Sequence, residues 1–258
     1  MKNFYKGTKL KYKKKEKIFF ILLLTIIFTL NNIYEIKLKQ LKICLCSIGK
    51  KENLYVKEFI QHYIKLGYNK IFIYDHNDID DERFEDIIQD EINKGFVSII
   101  NYRGYKTPIQ FTAYSDCYEK HNLTYNWLSF FDFDEFLELK PKNIKIQNFL
   151  NNKRFIYCQN IKINWVSYSN KQSLYYDKRP IQQRVISSII PNKHIKSTVR
   201  GNLSINYWYH ATNPHSSGNK FNTCSSSGKM IDFSSPFNEP PDIKYAFLKH
   251  YHFKFVLF

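Results

Sequence analysis

The sequence predicts an α/β domain with a mixed, largely parallel sheet flanked by helices, preceded by one N-terminal transmembrane helix. Three observations predict it. Strand-like and helix-like runs alternate from Leu41 onward, the order that builds parallel sheets. An apolar run, Ile18–Leu30, follows a basic head. An apolar strand, Trp127–Phe131, runs into Asp132, Asp134 and Glu135 before the chain turns apolar again.

Residues 1–17 hold eight lysines against Glu16. The run from Ile18 is extended by Ile33 and Tyr34 past two asparagines. Residues 18–34 are expected to be an uncleaved signal-anchor, because lysines hold the preceding end on the cytoplasmic side and no small-residue cleavage site follows. Residues 35–40 are a short stem. The expected placement is a single-pass, type II membrane protein, with the domain in the Golgi or secretory lumen if the cell is eukaryotic.

The domain then runs over 41–258, divided into a donor half (41–140) and an acceptor half (141–258). Lys42–Ile48 reads as a strand. Asn53–Leu66 carries apolar residues at helical spacing and stops at Gly67. Lys70–Tyr74 is a second strand, Asp80–Asn93 a helix, Phe96–Tyr102 a third strand and Pro108–His121 a helix. Beyond Pro141, Phe155–Ser169 and Ile181–Ile190 are β-like, Asn213–Ser227 is a polar loop, and Ala246–Phe258 is apolar and aromatic. Ser47, Asp75, Arg103 and Asp132 fall at strand ends, where sheets of this kind bind ligands.

Of the net charge of +16, residues 1–17 carry +7 (eight lysines less Glu16) and the rest is spread widely, which argues against a nucleic-acid partner and leaves a surface suited to anionic ligands. Five cysteines without a C-x-x-C argue against zinc. Their odd number favours buried thiols over a complete disulfide framework, with room for one bridge.

Two aspartates at i and i+2 on extended chain share a side. Carboxylates so placed repel unless a cation separates them, and a hard divalent ion takes oxygen ligands. Asp132 and Asp134 are therefore candidate metal ligands. Glu135 is expected to face the other way. Glu58 and His62, four apart, read as a surface polar pair.

The stretches KENLYVKEFIQHYIKLGYNKIFIYDHND, NYRG, QFTAYSDCYEKH and YNWLSFFDFDEFL, followed by HIKSTVRG, His210 with Asn213-Pro214, and LKHYHFK, resemble glycosyltransferase family 92 and related glycosyltransferase 2-like sequences. The resemblance covers roughly Leu41 to Lys254. It implies a GT-A type, Rossmann-like fold, a nucleotide-sugar donor (a UDP-sugar), a divalent metal (Mn2+, or Mg2+) and a glycan or glycoconjugate acceptor. Transfer is expected to invert the sugar carbon. By the same resemblance Asp75, Arg103, Gln110, Asp116 and Lys254 serve the donor. His250 returns to the metal or diphosphate, with His252 competing for that role. Lys196 and Arg200 are further candidates for diphosphate oxygens, and Trp165 and Trp208 for stacking on acceptor sugar.

Inverting transfer needs a carboxylate base for the acceptor hydroxyl. Asp177, Asp232, Glu239 and Asp242 are available, and spacing favours Asp232 or Glu239. Family members continue past the HY-x-x-K segment with a Ser/Thr and an acidic pair, whereas this sequence ends at Phe258. That departure motivates the alternative expectation of a non-catalytic, membrane-tethered nucleotide- or sugar-binding relative. Asn122-Leu123-Thr124 and Asn202-Leu203-Ser204 are N-glycosylation sequons.

Overall fold

The computed structural model describes residues 17, 19–30, 41–106, 109–168, 179–185, 188–203, 221–232 and 237–251. It divides into two units, 1–41 and 42–258. In the first, residues 19–30 form helix α1, whose described side chains are exposed. Among the described residues no helix is long and apolar enough to cross a membrane. The expected transmembrane helix is therefore not supported; Ile18 and residues 31–34 of it lie outside the described residues.

The second unit is a mixed α/β fold. It contains β1 (Ile43–Gly49), α2 (Asn53–Leu66), β2 (Lys70–Asp75), α3 (Glu85–Asn93), β3 (Val97–Asn101), α4 (Gln110–His121), β4 (Trp127–Phe130), β5 (Glu135–Leu139), α5 (Ile146–Leu150), β6 (Asn160–Tyr168), α6 (Ile181–Arg184), β7 (Ser188–Arg200), β8 (Thr223–Cys224) and β9 (Ala246–Tyr251). Among the described residues these strands form one sheet in the order β3-β2-β1-β4-β7-β6-β9-β5, with β8 beside β6. The first four strands in that order are parallel. Both β4 and β6 run antiparallel to β7, as β5 does to β9.

Sequence patterning places the elements of the first half within a few residues. Helix α2 follows its apolar spacing, burying Tyr55, Val56, Phe59, Ile60 and Tyr63. It ends on Gly67 at φ +100°, whose N–H closes onto Tyr63 and Ile64 carbonyls, a left-handed cap that glycine adopts without Cβ strain. Helix α3 starts later than expected. The Arg103 guanidinium takes the carbonyls of Asp78, Ile79, Asp81 and Glu82, which holds the residues before α3 in a loop.

Four corrections follow. The aspartates are not on extended chain at the end of the strand: β4 ends at Phe130 and β5 begins at Glu135, with the Glu135 N–H closing a turn onto the Asp132 carbonyl. The two strands flanking this short turn lie far apart in the sheet order. Flat, four inter-strand steps would span about 19 Å, so the sheet curls to bring β5 and β9 back over the end of β4. Ile181–Ile190 is not simply β: the Glu58 carboxylate accepts the N–H groups of Ile181 and Gln182 after Pro180, turning α6 before β7 begins. Glu58 and His62 are thus not a surface pair; His62 bonds the Leu137 carbonyl and Gln182.

The fourth concerns the cysteines. Two disulfides form, Cys46–Cys117 between β1 and α4 and Cys158–Cys224 between the loop before β6 and β8, leaving Cys44 buried and reduced. Cys44 and Cys46 share one buried core cluster with residues of α4, and it is Cys46 that bonds Cys117. The odd count reflects that single leftover thiol.

Candidate active site

The site lies beyond the C-terminal end of β4, where the curled sheet returns. Asp132 is the first polar residue after buried Phe130 and Phe131. Three side chains hold it. Gln110 and Tyr114, one turn apart on α4, donate to its Oδ1 at 2.7 and 2.6 Å. The Lys196 ammonium, from β7, donates to its Oδ2 at 2.5 Å. Register places Lys196 there, because Phe130 pairs with Ser197 and the chain continues one step beyond.

Glu135 is the side chain that sequence reasoning misplaced. Strand alternation put it opposite the aspartates, but alternation does not survive a turn. Its carboxyl is fully buried. Its Oε2 accepts the Asp132 N–H at 2.9 Å. Its Oε1 accepts no hydrogen bond, with Lys196 3.7 Å away. Burial pushes this carboxyl well above the usual carboxylate range; Lys196 opposes that and the Asp132 and Asp134 charges add to it. Burial pulls Lys196 down, but Asp132 and Glu135 outweigh it and hold the ammonium above its ordinary value. Burial and the Asp132 charge push the Tyr114 phenol up, so its hydroxyl remains a donor.

The C-terminal strand completes the cluster. Tyr251 N–H bonds the Asp134 carbonyl, and Glu135 pairs with His250 across β5 and β9. His250 Nε2 lies 3.3 Å from Asp134 Oδ2. Asp134, Glu135 and His250 each offer a ligand atom, all within 4.8 Å of one another. The His250 ring packs on Trp165 at 4.0 Å between centroids, and Trp165 stacks on His194. Trp165 is nearly buried, so its face is occupied by histidines.

Of the expected metal set, Asp134 and His250 come together, while Asp132 is engaged by Lys196, Gln110 and Tyr114. Gln110 reaches the site; Asp116, two residues past Tyr114, instead meets Tyr74 and Lys120. Asp75 is buried, with Oδ1 accepting from Asn77 and Oδ2 from Arg103 at 2.9 Å. Both residues are thus occupied in holding the loop after β2. Arg200 donates to the Cys158 and Phe155 carbonyls and covers Trp127, away from Asp132.

Asp232 and Glu239 are exposed. The Asp232 carbonyl accepts Lys162 at 3.2 Å. Glu239 follows Asn238, which bonds Asn164 beside Trp165. Asp242 accepts the hydroxyls of Ser225, Ser226 and Ser227; burial pushes its carboxyl up, but the Ser225 and Ser227 hydroxyls and the Lys244 and Ser227 N–H groups outweigh that and keep it below the usual range. Asp177, Trp208, His210, Asn213, Pro214, His252 and Lys254 lie outside the described residues. The Asn122 sequon has a buried amide, spent on the Tyr118 and Glu119 carbonyls.

An α/β domain whose carboxylates, histidine and lysine gather beyond parallel strand ends has the layout of a site for an anionic ligand and a cation. The sequence profile of glycosyltransferase family 92 matches residues 39–254, and the chain belongs to that family. A family 92 protein of Ricinus communis is 25% identical over 115 residues, which is 45% of this chain and 20% of that protein. One of Oryza sativa subsp. japonica is 27% identical over 117 residues, 44% of this chain and 19% of that protein. The chain thus matches about a fifth of the length of these curated relatives. Among solved structures, Staphylococcus aureus TarS 1-349 is similar at a TM-score of 0.40 and 10% identity, covering 62% of this chain and 47% of that one; so distant a likeness adds nothing to the family assignment.

Proposed function

We propose that this chain is a metal-dependent glycosyltransferase, moving a sugar from a nucleotide-sugar donor, a UDP-sugar, to a glycan or glycoconjugate acceptor with inversion. The observation that carries this reading is the convergence of Asp134, Glu135 and His250 beside the Asp132–Lys196 pair. A divalent ion fits the donor set: two carboxylates and an imidazole are within reach of one another, and a fully buried Glu135 oxygen accepts no hydrogen bond. Asp134, Glu135 and His250 would hold Mn2+ or Mg2+, whose chemistry there is Lewis-acid stabilisation of the departing diphosphate.

The chain's own residues supply the rest. Lys196 presents a fixed positive charge to diphosphate oxygens. Asp132, held from α4 and β7, keeps that ammonium in place. Trp165 and His194 fix the plane of His250. Glu239 is the favoured base for the acceptor hydroxyl, because its segment packs on the Trp165–His194 side: Phe237 lies edge-on to His194. Asp75 and Arg103 shape the loop that borders the donor pocket.

We also place residues 18–34 as a signal-anchor with the domain across the membrane. The two disulfides support an oxidising compartment. Protease protection of the domain in sealed microsomes tests this; digestion without detergent overturns it.

The full chain, offered UDP-galactose, UDP-glucose or UDP-GlcNAc with Mn2+, is expected to release UDP with one of them, and Asp134→Asn to abolish release. Binding of UDP and Mn2+ without hydrolysis or transfer across a broad acceptor panel would instead establish a non-catalytic relative.

A further inference from the structure

Lys196 is 3% exposed at its side chain, 2.5 Å from Asp132 and 3.7 Å from Glu135. It stands between the carboxylate that α4 holds and the carboxylate that belongs to the cation set. We propose that Lys196 is a resident counter-ion that weakens metal binding in the empty site and makes tight binding depend on the donor diphosphate. This rests on the metal-dependent reading above.

Like charges compete here. A divalent ion at Asp134, Glu135 and His250 shares Glu135 with the Lys196 ammonium already beside it. Two cations drawing on one buried carboxylate repel each other, and screening there is weak. Lys196 cannot retreat into solvent, because its side chain is enclosed and its other partner, Asp132, is pinned by Gln110 and Tyr114. A diphosphate brings negative charge that satisfies the ammonium and the metal together, so metal and nucleotide each raise the other's affinity. A purely structural ion pair between Lys196 and Asp132 would make metal affinity insensitive to residue 196.

Manganese binding to the full chain, read from the loss of the free Mn2+ spin-resonance signal with and without UDP, separates these outcomes. Lys196→Met is expected to bind Mn2+ about tenfold or more tightly without UDP, and to lose most of the gain that UDP gives the wild type. Lys196→Arg, which keeps the charge, is expected to behave as wild type. Thermal melts establish that each variant is folded. Should Lys196→Met fail to fold, Asp132→Asn reads the same competition: Lys196 then turns to Glu135, and Mn2+ affinity without UDP falls several-fold. Manganese affinity that is unchanged in a folded Lys196→Met, or in Asp132→Asn, overturns the role of Lys196. A wild-type chain that binds no Mn2+ even with UDP overturns the metal reading itself.

Discussion

Glu135 and His250 are register partners across β5 and β9. This pairing joins the acidic turn after β4 to the last described strand. A strand laid beside β5 thus carries a candidate ligand atom into a cluster whose other members are local in sequence. The curl of the sheet is therefore a condition of the site, since an open sheet would leave the β5–β9 pair far from the Asp132–Lys196 pair at the end of β4.

Removing either partner is expected to damage metal binding more than folding. Glu135→Gln keeps the shape and the bond from the Asp132 N–H, and removes a buried charge. We expect it to fold and melt at or above the wild-type temperature, while losing at least about a hundredfold in kcat/KM, the scale for losing electrostatic stabilisation of a transition state. His250→Ala should lose activity similarly and weaken Mn2+ binding. Turnover with the preferred donor, beside circular dichroism, checks both; wild-type turnover in Glu135→Gln would remove it from the site.

Arg103 is expected to act through stability. It is the counter-charge of buried Asp75 and the donor to four loop carbonyls. Arg103→Ala strands a buried carboxylate, a loss of about 3 kcal/mol or more. Arg103→Lys should recover little of it, because one ammonium cannot replace a planar fork of donors. Urea unfolding midpoints measure this, and near-equal midpoints for wild type and Arg103→Ala would refute it.

Much of the first half was legible because helix and strand periodicities are local. Asn53–Leu66 shows its buried face in its spacing, and Asp75 and Asp132 fall at strand ends as expected. What was not legible depended on the chain meeting itself. Glu135 joined the site because a turn interrupted the alternation on which its orientation was inferred. The disulfides could not be paired from spacing, since Cys46 and Cys117 meet only when α4 packs on β1. Arg103 carries the charge expected of a phosphate contact, but Asp75 claims it. Tyr114 had a visible signal, four residues after Gln110 on a helix, that gains meaning only once Gln110 reaches Asp132.

The disulfides predict a countable thiol pattern. Alkylation of the denatured, unreduced chain should add one group, at Cys44, and alkylation after reduction should add five. Each bridge closes a loop of more than sixty residues, so paired Cys158→Ala and Cys224→Ala substitutions should cost about 2–4 kcal/mol. Intact-mass analysis decides the first point: five adducts without reduction would mean that neither bridge forms.

His62 predicts a pH dependence of stability. Burial lowers its pKa from 6.5 to about 4, with the bond to the Leu137 carbonyl partly opposing. Between these values the unfolded chain binds the proton and the folded chain does not, so stability from this group is complete above pH 6.5 and falls as pH drops toward 4. The loss is about 2 kcal/mol for a ring still partly open to solvent. Protonation would also set an N–H against the Gln182 amide that Nδ1 now faces. Melting temperatures of wild type and His62→Phe from pH 7 to 4.5 should diverge in slope, with the variant flatter; parallel curves would exclude His62 as the cause.

The two aspartates of the acidic turn should prove unequal. Asp134 stands within the cation set, whereas both Asp132 oxygens already accept bonds from Gln110, Tyr114 and Lys196. Asp134→Asn removes a charge of the proposed cation set and should abolish measurable Mn2+ binding without UDP. Asp132→Asn should weaken that binding only several-fold, since its effect passes through Lys196. Its larger effect should fall on UDP affinity, because an ammonium released toward Glu135 no longer faces the diphosphate. Calorimetric titration of both variants with Mn2+ and then UDP makes the comparison. Equal loss of metal in the two would mean that Asp132 is itself a ligand, and that Lys196 leaves it when the metal arrives.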